Sequence, residues 1–100
     1  NIKKNPIHKP IEIEVDTIEQ IKQILPLNID GFLLDNMNSE LTKECVNIIK
    51  SYNNTIFIES SGGITLDTII NYIDTGVDAV SIGALTHQAK NINIKLEFIL

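Results

Sequence analysis

Ile11-Glu12-Ile13-Glu14-Val15-Asp16 is the stretch that decides how this 100-residue chain folds. Apolar and acidic residues alternate strictly through it, the period of a β-strand with two different faces. Ile11, Ile13 and Val15 project to one side and Glu12 and Glu14 to the other. A parallel strand sandwiched between helix layers buries both faces in apolar contact. A strand with one carboxylate face suits the polar upper layers of a barrel lumen instead.

Working outward, Thr17 reads as a helix N-cap with Gln20 at the capping-box spacing. Ile18, Ile21, Ile24 and Leu25 form a helical stripe that should end near Pro26. Phe32-Leu33-Leu34 predicts a buried second strand ending on Asp35-Asn36. A helix capped by Ser39 follows, with Leu41, Cys45, Ile48 and Ile49 on its apolar side. Asn53-Asn54 breaks it, and Thr55-Ile56-Phe57-Ile58-Glu59 predicts a third strand that runs into Ser60-Ser61-Gly62-Gly63. A third helix from about Thr65 carries Leu66, Ile69, Ile70 and Ile73 and stops at Thr75-Gly76. Asp78 to Ile82 is the fourth strand, delivering Gly83-Ala84 and then Thr86-His87. The tail from Ile92 to Leu100 is a last strand or an extended closing segment.

The four strands begin near residues 11, 32, 55 and 78, and helices alternate with them. Such a repeat implies parallel β/α units with right-handed crossovers. The expected fold class is α/β, the C-terminal half of a (β/α) TIM-like barrel with about four units. Residues 1–100 would then form a partial catalytic barrel domain, lacking an N-terminal domain and the first part of the barrel.

Composition narrows the function. A net charge of −5 excludes a non-specific nucleic-acid surface, which needs a basic face. No apolar run reaches the roughly 20 residues of a membrane span, so no membrane partner and a cytoplasmic location are expected. Cys45, the single cysteine, lies in a helical pattern and reads as core. The chain contains no arginine. A pocket for a small polycarboxylate generally uses the guanidinium fork, so any such pocket must be completed from outside.

In β/α barrels the reactive groups gather at the carboxyl ends of the strands. Glu14 and Asp35 stand there as a pair suited to Mg²⁺, which takes one or two carboxylates together with waters and substrate phosphates. Either residue alone also serves as a cap for the helix after it. Glu12 lies deeper, where it would satisfy a lumenal polar network. Ser61-Gly62-Gly63 has the form of an anion nest before a helix, although Ser-Gly-Gly is also an ordinary tight turn. Ile82-Gly83-Ala84 places a second glycine at a strand end one unit later, and two adjacent glycine loops suit a phosphate clamp. His87 is within reach of a phosphate or leaving-group oxygen, or is a surface histidine. Glu59 either orients the glycine loop or contacts ligand.

Glu12-Ile-Glu-Val-Asp16, Leu34-Asp-Asn36, Glu59-Ser-Ser-Gly-Gly63, Thr75-Gly-Val-Asp78 and Ser81-Ile-Gly-Ala-Leu-Thr-His87, in this order and spacing, resemble the C-terminal half of quinolinate phosphoribosyltransferases. The resemblance implies transfer of a phosphoribosyl group from phosphoribosyl pyrophosphate to quinolinate with loss of CO₂. The product is nicotinate mononucleotide, a step of NAD biosynthesis. It also implies that Glu14 and Asp35 contact the ribose and Mg²⁺, as catalytic and metal-binding residues. Ser61, Gly62, Gly63, Ile82, Gly83 and Ala84 would hold the 5′-phosphate, with His87 beside them. In the family the quinolinate-binding Arg and Lys cluster belongs to earlier sequence and, for one arginine, to a neighbouring subunit. A homodimer or higher homo-oligomer is therefore implied, and the isolated chain is expected to be inactive. The competing readings are a paralogous molybdenum-locus barrel enzyme, a non-catalytic or engineered half-barrel that oligomerises, and a generic phosphate-binding sugar-isomerase barrel.

Overall fold

Thr17, two residues beyond the first strand, caps the first helix. Its Oγ1 accepts from the Gln20 amide while Gln20 Oε1 accepts from the amides of Asp16 and Thr17, completing the expected capping box. The computed structural model describes residues 9–85 and 93–100. Its elements are β1 (Glu12–Val15), α1 (Ile18–Ile24), a 3₁₀ turn (Leu25–Leu27) that takes in Pro26, β2 (Gly31–Asp35), α2 (Ser39–Tyr52), β3 (Phe57–Ser61), α3 (Ile70–Ile73), β4 (Ala79–Leu85) and β5 (Asn93–Ile99).

The sheet has five strands in the order β1-β2-β3-β4-β5. β1 to β4 are mutually parallel and β5 is antiparallel to β4. The tail is thus a strand, and the sheet is mixed rather than wholly parallel. Sequential order with no reversal means that the crossovers all advance in one direction, which puts the helices on one face when each is right-handed. A doubly wound sheet would reverse its order at a switch point. Burial agrees with a singly wound layer: Val15, Phe32, Leu34, Ile58, Val80 and Ile82 share one core with Ile21, Cys45, Val46, Ile49 and Tyr72 of the helices.

Two helix starts differ from expectation. Asn38, not Ser39, caps α2: its Oδ1 accepts from the Leu41 amide at 2.8 Å, and Ser39 is the first helical residue. The third helix is shorter than its pattern suggests. Thr65 and Thr68 exchange hydrogen bonds between each hydroxyl and the other's amide, and the chain runs through turns before α3 begins at Ile70. Threonine hydroxyls compete for backbone groups and β-branched residues crowd a helix. Consequently Leu66, Ile70 and Ile73 are 68%, 68% and 50% exposed. Tyr72 is the residue of α3 that enters the core, with Ile69 packed partly against it.

One device recurs below the sheet. Asn28 and Gly76 take left-handed φ values, +57° and +94°, each is followed by a buried β-branched residue, Ile29 or Val77, and then by Asp30 or Asp78. Asp30 Oδ2 accepts from the Ile11 amide at 2.7 Å, and Asp78 Oδ2 from the Ile58 amide at 2.8 Å. Each aspartate therefore fastens the start of its strand to the start of the preceding one. Lys50 adds to the second clamp, donating to Asp78 Oδ2 at 2.9 Å and to the Ile56 carbonyl at 2.7 Å.

Candidate functional site at the carboxyl ends of the parallel strands

Parallel register decides which side chains meet on the face away from the helices. Glu14 is level with Leu33, and Leu33 with Glu59; Asp35 is level with Ser61. Because side chains alternate, Glu12, Glu14, Asp35, Glu59 and Ser61 all project to that same face. Glu14 and Asp35 occupy a diagonal on neighbouring strands, within reach of long side chains. Glu14 is exposed in a polar hollow with Asp16 and Gln20, and Asp35 is half-buried. Among the described residues no group of three or more His, Cys, Asp or Glu is placed to hold a metal. A carboxylate pair such as Glu14 and Asp35 is the kind of donor set that a Mg²⁺ keeping its waters and sharing a phosphate ligand uses.

The glycine turn is built against the Asp35 loop. Gly62 and Gly63 have φ of +87° and +71°, which a side chain rarely tolerates. A Cβ at Gly62 would stand 2.8 Å from Asp35 Oδ1 and 2.9 Å from the Asn36 nitrogen. The Asn36 amide donates to the Ser61 carbonyl at 2.8 Å, and Asn36 is itself left-handed at φ +57°. Ser61, Gly62, Asp35 and Asn36 therefore form one contiguous surface. The nest does not abut a helix N-terminus, since turns separate Gly63 from α3.

The second glycine segment is placed differently from its expectation. Ile82, Gly83 and Ala84 lie within β4, paired with Leu96, Lys95 and Ile94 of β5, instead of beyond the strand end. The Ile82 side chain is in the core, so only its main chain is available to the opposite face. Gly83 is exposed, and a Cβ there would meet nothing within 4 Å. His87 lies outside the described residues.

Glu59 is 6% exposed, and its carboxylate accepts from the Ser81 hydroxyl. Sequence reasoning left Glu59 between two roles and missed Ser81 as its partner. The signal was present in Ala79, Ser81 and Gly83, small residues alternating with Val80 and Ile82. Cys45 is fully buried, as expected of core, and donates to Met37 Sδ at 3.6 Å. Burial, with a smaller contribution from nearby Glu44, raises its thiol pKa to about 11.

Strand order and register together define a β/α-repeat domain with a carboxylate-bearing face on one side of a singly wound sheet. The family model for the quinolinate phosphoribosyl transferase C-terminal domain matches residues 2–97. The chain belongs to that family. It is 36% identical over 95 residues to a probable carboxylating nicotinate-nucleotide pyrophosphorylase of Methanocaldococcus jannaschii, covering 91% of this chain and 34% of that protein. It is 38% identical over 88 residues to the carboxylating nicotinate-nucleotide pyrophosphorylase of Mycobacterium leprae, covering 88% and 31%. A solved structure of the nicotinate-nucleotide pyrophosphorylase from Francisella tularensis superposes with a TM-score of 0.66 at 29% identity, over 78% of this chain and 27% of that one. The chain spans about a third of the length of the curated relatives it matches.

Proposed function

We propose that this chain is the phosphoribosyl pyrophosphate side of a carboxylating nicotinate-nucleotide pyrophosphorylase, the C-terminal part of a TIM-like barrel completed by other sequence. The observation that carries the reading is the joined surface of Asp35, Asn36, Ser61 and Gly62. It sets a carboxylate beside a left-handed glycine turn, an arrangement suited to a phosphorylated sugar that also carries a metal-bound pyrophosphate. The relatives' names and the carboxylates gathered on one sheet face support it.

In this reading the Ser61-Gly62-Gly63 main chain takes the 5′-phosphate, with Gly83 and the main chain of Ile82 and Ala84 lining the far side and His87 beside them. Glu14 and Asp35 would hold Mg²⁺, which would supply positive charge toward the departing pyrophosphate. The quinolinate nitrogen forms a bond to C1′ as the bond from C1′ to the pyrophosphate oxygen breaks, its electron pair leaving with pyrophosphate. The ring carboxylate adjacent to that nitrogen is lost as CO₂ and a proton takes its place. The passage through C1′ has oxocarbenium character, and fixed negative charge on the sheet face stabilises it electrostatically. Quinolinate's two carboxylates suit guanidinium forks, and this chain, which has lysines but no arginine, supplies none. Such forks come from the rest of the barrel and from a neighbouring subunit in a homo-oligomer, in the cytoplasm and away from membrane and nucleic acid.

A pyrophosphate-release assay with quinolinate, phosphoribosyl pyrophosphate and Mg²⁺ tests this. A protein of the relatives' full length that contains this chain makes nicotinate mononucleotide, and the 100 residues alone do not. Failure of the longer protein to make the product overturns the activity. Quinolinate-dependent turnover by the 100 residues alone overturns the division of the site.

A further inference from the structure

Tyr72 is absent from the apolar stripe that the sequence predicts for the third helix, yet it is the residue of α3 that is buried. Its phenolic oxygen donates to the Met37 carbonyl at 2.8 Å, across 35 residues of sequence. Met37 follows directly on Asp35 and Asn36, so this bond ties the helix of the third β/α unit to the ligand loop of the second. The remaining holds on that loop come from other directions. Ser61 accepts from the Asn36 amide, Cys45 donates to the buried Met37 sulfur, and Asn38 is committed to capping α2.

We propose that Tyr72 is a positioning residue: its hydroxyl fixes the Asp35-Asn36-Met37 loop against Gly62, and so sets where the Asp35 carboxylate stands relative to the glycine turn. The proposal rests on the functional reading above for the ligand but not for the geometry. Gly62 packs so closely on Asp35 and Asn36 that no Cβ would fit between them, and a small loop movement changes that contact. Sites of this kind act only when the groups are held to within a fraction of an ångström, by partners that do not themselves touch ligand. Removing the hydroxyl leaves the buried Met37 carbonyl without its donor, and the loop is the part able to move toward water. The glycine turn has supports besides this loop, β3 beneath it and buried Ile64 beyond, so it shifts less than the loop does.

Tyr72→Phe keeps the ring in the core and removes only the hydrogen bond; Ile70→Ala, on the exposed side of the same helix, is the control. Three quantities are measured on the chain: amide hydrogen exchange at Asn36, affinity for phosphoribosyl pyrophosphate with and without Mg²⁺, and affinity for inorganic phosphate. In Tyr72→Phe we expect exchange at Asn36 to quicken about tenfold, and the Mg²⁺-dependent part of phosphoribosyl pyrophosphate affinity to fall roughly tenfold. Phosphate affinity stays unchanged, and Ile70→Ala matches the unaltered chain throughout. Unchanged exchange at Asn36 overturns the proposal, as does an equal loss for both ligands, which marks a general loss of structure. If the unaltered chain takes no phosphoribosyl pyrophosphate, the functional reading fails, and exchange at Asn36 alone decides whether Tyr72 positions the loop.

Discussion

Asp35 Oδ1 and the Asn36 nitrogen leave no room for a Cβ at Gly62, whose φ is +87°. Gly62→Ala therefore carries both backbone strain, of order 1–3 kcal/mol for a non-glycine residue held there, and a clash with the candidate cation ligand. A denaturant melt should show a loss of about that size, and titration calorimetry should show weakened Mg²⁺-dependent binding of phosphoribosyl pyrophosphate. Cys45 behaves oppositely, as a residue without chemistry. Burial, and to a smaller extent Glu44, push its thiol above the ordinary range to about 11. Since the folded state holds the proton longer than the unfolded one, its contribution to stability is complete below about pH 9. That contribution is lost as pH rises through about 11. At neutral pH a thiol reagent should label Cys45 only at the rate of unfolding, and rapid labelling of the native chain would contradict its burial. Glu59 shows how far residue-level reading went. Its place on the carboxylate face follows from alternation with Ile58, whereas its partner Ser81, 22 residues away, required the β3–β4 register.

At the scale of elements, strands and their faces were legible because the alternation in β1 and the apolar run in β2 have distinct periods. The weakest expectation was the third helix. A stripe of Leu66, Ile69, Ile70 and Ile73 satisfies helical spacing, but Thr65 and Thr68 divert the backbone into turns, and three of those four side chains stay exposed. Spacing alone could not detect that competition. The Asn28-Ile29-Asp30 and Gly76-Val77-Asp78 segments show the reverse, a repeat printed in the sequence whose meaning needed the hydrogen bonds. Asp78→Ala removes the acceptor of the Ile58 amide and the partner of Lys50 together. We expect a loss of about 1–3 kcal/mol, mainly from the orphaned buried groups, because the ion pair itself is partly exposed and screened. The clamp lies at the amino ends of the strands, so the folded fraction should bind phosphoribosyl pyrophosphate with unchanged affinity. A binding defect without a stability defect would place Asp78 in the site instead.

Over the whole molecule, the two sheet faces have different fates. Helices cover one with a continuous apolar core, while the other carries Glu12, Glu14, Asp35 and Glu59, of which Glu14 is exposed, Asp35 half-buried and Glu59 buried. The strict alternation of Ile11 to Val15 made this asymmetry legible in sequence, and the absence of arginine showed separately that the chain carries no guanidinium fork. The antiparallel β5 was less legible, since its alternation fits a strand of either direction. The central claim is that Asp35 and the glycine turn form one metal-dependent site for phosphoribosyl pyrophosphate. Titration calorimetry of the chain with phosphoribosyl pyrophosphate, with and without Mg²⁺ and repeated on Asp35→Ala, tests it most directly. The account predicts saturable binding that needs Mg²⁺ and weakens at least tenfold in Asp35→Ala, while inorganic phosphate still binds. Binding that is indifferent to Mg²⁺ and to Asp35, or no binding at all, would contradict it.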